Sequence, residues 1–86
     1  MENLKILVLV DGTMILSQID EVLSELGDPD CKLTEPFIIN PSTMEFSPWF
    51  VDFTSQNIFM IQSDKILTII DPNTKNIKKY EALLKG

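Results

Sequence analysis

The chain contains no histidine, no arginine and only one cysteine, Cys31, in 86 residues. Without histidine, neither a Ser/His/Asp nor a Cys/His nucleophile pair can be assembled, and a Cys/His zinc site loses its usual partner. One cysteine excludes an intramolecular disulfide and fits a reducing compartment. All seven basic residues are lysine, so the planar fork that grips phosphate and guanine bidentately is missing. Gly12, Gly27 and Gly86 lie too far apart for a glycine-rich phosphate loop. These absences remove most catalytic classes, and the chain reads as non-enzymatic and free of cofactor. Long hydrophobic runs are absent too. The longest early one, residues 6–10, is too short to cross a bilayer, and Met1-Glu2-Asn3 has neither a positive leader nor a cleavage site. A cytoplasmic protein with no membrane span is expected.

Acidic residues are abundant, at 13, and the net charge is −6. Such a field repels polyanions, so duplex DNA is not an expected partner, and any nucleic-acid contact must come from local stacking and amide hydrogen bonds. Solubility is the ordinary role of the charge. The carboxylates of Asp20, Glu21, Asp28 and Asp30 match no known ligand spacing for a hard cation and read as solvated charges, so no metal is expected. Cys31 opens an alternating apolar face and reads as a small core residue. Lys75, Lys78 and Lys79 form a basic cluster that reads as a solvated helix face.

No repeat, low-complexity tract or composition shift divides the chain, so residues 1–86 are expected to form one domain. Residues 4–10 are apolar and β-branched enough for a buried strand, and Asp11-Gly12 predicts a tight type I′ hairpin turn. Over residues 13–26 two signals compete. Ile19, Val22, Leu23 and Leu26 recur at helical spacing, with Ser17 and Gly27 as caps. A second strand bent near Ser17 explains the same phase shift between Met14-Leu16 and Ile19. Cys31, Leu33, Phe37 and Ile39 alternate with polar residues as a strand, in which Pro36 marks an edge or a bulge. Residues 41–56 read as a long connection whose Trp49 and Phe50 cap the core or form a contact surface. Residues 57–62 and 65–70 read as a second hairpin turning at Ser63-Asp64. Asp71 as cap and Pro72 in the first turn predict a helix over 72–85, with Ile77, Tyr80 and Leu84 on one face.

Val10-Asp11-Gly12 followed by Met14, Leu16, Ile19 and Val22 resembles the first conserved motif of Sm-like proteins, the superfamily that includes Hfq. Ile61-Gln62-Ser63-Asp64 leading into Ile66-Leu67-Thr68-Ile69 resembles the second motif, in the expected order. The wording Ser63-Asp64-Lys65-Ile66-Leu67-Thr68 is similar to that of short Sm-like proteins of cyanophage origin, and the host cytoplasm would then be the location. The resemblance covers residues 4–70. It implies a mainly β fold, a strongly bent five-stranded antiparallel barrel over 4–70, here with a short C-terminal helix in place of the family's helix before the first strand. It also implies a homo-oligomeric ring closed by pairing exposed edge strands, which suits an 86-residue chain with a limited core.

The family's RNA-binding residues carry over poorly. The aspartate and asparagine expected after the second strand fall at Leu23 and Gly27, and the arginine and glycine of the second motif become Gln62 and Ser63. Gln62 remains able to bond a base edge, and Ser63 a phosphate or ribose. Two functions are therefore expected to compete. One is a ring that binds single-stranded RNA at Gln62 and Ser63, and the other is a structural or protein-binding ring without RNA.

Overall fold

A computed structural model describes residues 2–86. Strands β1 (Leu4–Leu9) and β2 (Met14–Glu21) form the expected first hairpin, with Leu7 opposite Ile15 and Val8 opposite Met14. Its turn differs from expectation. The Leu9 N–H donates to the Thr13 carbonyl at 2.8 Å and the Gly12 N–H to the Leu9 carbonyl at 2.9 Å, and of Asp11 and Gly12 only Gly12 has positive φ, at 90°. The connection is thus residues 10–12, a tight turn followed by a left-handed glycine, rather than a two-residue type I′ turn. The Asp11 carboxylate accepts the Thr13 N–H at 3.0 Å, which explains aspartate before the glycine.

Residues 14–21 are strand, which resolves the competition with a helix. The phase shift that mimicked helical spacing is a register break in the pairing with β3 (Cys31–Asn40), falling between Leu16 and Gln18. Opposite it, Glu35 adopts φ 52° and Pro36 interrupts the ladder. Ser17 is fully buried at this bulge, and its hydroxyl donates to the Thr34 carbonyl at 3.1 Å. Pro36 therefore marks a bulge in an interior strand rather than an edge.

That bulge divides the far side of β3 between two partners. Phe37 to Asn40 pair with β4 (Glu45–Pro48), and Cys31 to Thr34 pair with β5 (Ile58–Ile61). The sequence reads 41–56 as one long connection, and β4 lies within it. Its turn is built by Asn40, whose side chain accepts the Ser42 N–H and whose carbonyl accepts the Met44 N–H. After β5 a 3-10 turn, Ser63–Lys65, leads into β6 (Ile66–Ile70), which pairs with β1. Residues 57–70 are accordingly not a hairpin. The Lys65 N–H closes the turn on the Gln62 carbonyl, and the Val10 N–H takes the Lys65 carbonyl, so the chain swings from β3 to β1.

The fold is mainly β, a six-stranded antiparallel sheet ordered β4-β3-β2-β1-β6 with β5 also on β3, plus one C-terminal helix. Among the described residues it has six strands rather than five and is not closed into a barrel, because β5 and β6 do not pair with each other. Alternation gives it two apolar faces. Leu4, Leu16, Phe37 and Ile39 face α1 (Thr74–Lys85), which inserts Tyr80 among them and adds Ile77 and Leu84. Leu7, Ile15 and Leu33 pack on the opposite face with Trp49, Phe59, Ile61 and Ile66. The helix start also differs from expectation. Asn73 is its cap, accepting the Asn76 N–H at 2.9 Å, while Asp71 forms an ion pair with Lys5.

Candidate functional site

The two residues singled out in the sequence, Gln62 and Ser63, stand where β5 ends and the 3-10 turn begins. Beside them lies the loop over 22–30, fastened to β5 by a hydrogen bond from the Asp30 N–H to the Ile61 carbonyl at 3.2 Å. The two segments enclose a cleft of about 190 Å³ lined by Leu26, Gly27, Asp28, Asp30, Gln62, Ser63 and Asp64. Of the two loop positions implied by the resemblance, Gly27 reaches this corner and Leu23 projects into solvent.

The polar groups at the corner are already engaged. The Gln62 amide donates to the Gly27 carbonyl. The Ser63 N–H donates to one oxygen of Asp30 and its hydroxyl to the other, both at 2.7 Å. These two bonds from Ser63 hold the Asp30 carboxyl below the usual carboxylate range, so it is ionised at neutral pH. With Asp28 and Asp64 on the same rim, the cleft presents carboxylates to any incoming group and offers no cation. It is suited to hydrogen bonding with a neutral or positive partner and opposes phosphate. Asp30 organises the corner, whereas in the sequence it reads only as one of several solvated carboxylates.

Cys31 and Lys79, also considered in the sequence, have structural surroundings that account for them. Cys31 is buried, and burial with Asp30 and Glu21 nearby pushes its thiol pKa up, which suppresses the reactive thiolate. Lys79 lies over the Phe46 ring at 4.1 Å and donates to the Met44 carbonyl. Among the described residues no three acidic or cysteine side chains converge as a metal site, and no helix is long and apolar enough to cross a membrane.

A larger unsatisfied feature borders the corner. One edge of β5 pairs with β3 and one edge of β6 with β1, which leaves the second edge of each strand without a partner strand among the described residues. Both carry exposed apolar side chains, Ile58 and Met60 on β5 and Leu67, Ile69 and Ile70 on β6. The family resemblance implies exposed edge strands, whereas the local pattern pairs these two runs with each other, and it is their divergence that leaves both edges open. The aromatic segment between β4 and β5 is divided. Trp49 packs on the core, whereas Phe50 and Phe53 stay 46% and 85% exposed.

A family model described as a family of unknown function, DUF6561, matches residues 2–85, and the chain belongs to that family. No curated protein matches the chain.

Proposed function

We propose that this family member is a non-enzymatic, Sm-like protein that assembles into a homo-oligomeric ring, the β5 edge of one subunit pairing with the β6 edge of the next. In this reading β1, β2, β3, β5 and β6 are the five strands of a strongly bent barrel, and β4 is an added arm. The barrel is completed between subunits rather than within one.

The observation that carries the reading is the pair of free edges. They are similar in length, both apolar, and on opposite ends of one sheet. An uncovered edge of this kind is an aggregation template unless a partner takes it. An edge at each end makes the contact heterologous, which repeats from subunit to subunit and closes as a ring when the rotation per step allows it.

Multi-angle light scattering at micromolar concentration is expected to give a small, discrete multiple of the 9.8 kDa subunit mass. A monomer there overturns the proposal. A ring that serves as a structural or protein-binding scaffold fits the acidic corner best. Single-stranded RNA at Gln62 and Ser63 is the second reading, supported by their position at the cleft, where each would have to exchange its present bond for one to a base or ribose.

A further inference from the structure

The segment Trp49, Phe50, Val51 and Phe53 is apolar, largely exposed and unexplained by the core. Phe50 is held at φ 58°, the left-handed region that a bulky side chain enters only at a cost. A glycine there would relieve the backbone. The ring that the strain retains stacks on Trp49 with centroids 4.6 Å apart and lies 6.0 Å from Phe59. Phe50 therefore stands beside Phe59, on the face of β5 that Phe59 and Ile61 turn toward the core.

The face that β6 presents is equally defined. Ile69 lies opposite Leu7 in the ladder and so shares the face of the Leu7, Ile15 and Leu33 core, yet it is 53% exposed. Ile70 lies opposite Ile6 and shares the helix-covered face. If β6 of a second copy adds antiparallel to β5 with Phe59 opposite Ile69, then Met60 falls opposite Thr68 and Ile58 opposite Ile70. In that register the residues of each face meet residues of the same face. Shifting by one residue reverses every side chain.

We propose, resting on the ring reading, that Phe50 and Phe53 form a clasp on the neighbouring subunit, closing over its Ile69 where that strand arrives beside Phe59. The occupant is a second copy of this chain, because that copy supplies both the strand that the β5 edge lacks and an exposed apolar side chain on the face beneath Phe50. The clasp explains why an aromatic occupies a strained position and why Phe53 is left uncovered.

Sedimentation velocity across a dilution series tests this on the wild type, Phe53→Ser, and the double variant Phe50→Gly with Phe53→Ser. Both variants remove exposed or half-exposed side chains, and circular dichroism at high dilution checks that each subunit keeps its fold. The double variant is expected to raise the dissociation constant of the assembly about tenfold or more, as loss of interfacial aromatics does. Trp49, the only tryptophan, reports at the clasp itself. Its emission is expected to shift to the red on dilution with the same midpoint as dissociation. Adding Ile69→Ser is expected to weaken the double variant by a smaller factor than it weakens the wild type, because the groups touch. Full additivity overturns the clasp, as does a double variant that assembles like the wild type. A double variant that assembles normally but loses binding to an oligonucleotide also overturns it, assigning the aromatics to base stacking. A wild type that stays monomeric overturns the ring and the clasp together.

Discussion

Asp30 shows how one side chain sets the character of a corner. Its two oxygens take both donors of Ser63, and its main-chain N–H ties the loop over 22–30 to β5. Ser63 lowers its pKa from an unfolded value of about 3.9. The contribution to stability is therefore fully present above that value and lost as pH falls through the folded pKa. Urea midpoints of Asp30→Asn are expected to be lower than those of the wild type at pH 7, with the gap closing as pH falls below about 4. An undiminished gap in acid would show that the charge of Asp30 is not what matters. Gln62 and Ser63 were legible in the sequence as candidates through the second motif. That both are bonded within the chain was not, because the acceptors, Gly27 and Asp30, lie more than thirty positions away.

At the scale of elements, α1 and the bulge of β3 are one device. Tyr80 is fully buried, meets Phe37 edge to face at 5.5 Å, and donates its hydroxyl to the Glu35 carbonyl at 2.9 Å, at the residue forced to positive φ. The Gln18 amide donates to the same hydroxyl at 3.2 Å. The helix thus satisfies a carbonyl that the interrupted ladder leaves over. Tyr80→Phe is expected to cost about 1 to 2 kcal/mol through the unpaired carbonyl, and Tyr80→Ala about 3 to 5 kcal/mol through the cavity. Equilibrium denaturation measures both, and equal losses would mean that the ring contributes nothing beyond its hydroxyl. The elements whose signals were local were readable in advance. Strand β1 is an apolar run broken only by Lys5, β3 alternates as far as Pro36, and Ile77, Tyr80 and Leu84 keep helical spacing. Those set by distant partners were not. The strand β4 is only Glu45–Pro48 and ends in a proline, and the divergence of β5 from β6 depends on Lys65 reaching Val10. The bend at Ser17 was visible only as a broken period, equally consistent with a helix until Thr34 is seen to accept its hydroxyl.

For the whole molecule, charge bears on both proposed functions. The chain carries −6, and the proposed assembly would multiply that field. Ordinary RNA binding weakens as salt rises because phosphate contacts release counterions. Here contacts to an oligonucleotide would come from amides, hydroxyls and exposed aromatics working against repulsion, so salt would leave affinity unchanged or raise it. Titration of labelled oligo-U and oligo-A at low and physiological salt is expected to show no binding if the ring is a protein scaffold. Binding that holds or strengthens with salt and disappears in Gln62→Ala would establish the RNA reading in its place.

The division of β3 at Glu35 and Pro36 also makes part of the chain modular. The path leaves one edge of β3 at Asn40 and returns to the same edge at Ile58, and both departure and return are anchored on halves of a strand whose other edge is held throughout by β2. The excursion between them is an arm added to that strand and tied to both cores, by Phe46 on the helix side and by Trp49 on the other. Changes confined to its exposed residues leave the register of β1, β2, β5 and β6 in place. What the exposed part of the arm displays is thereby uncoupled from what keeps the chain folded.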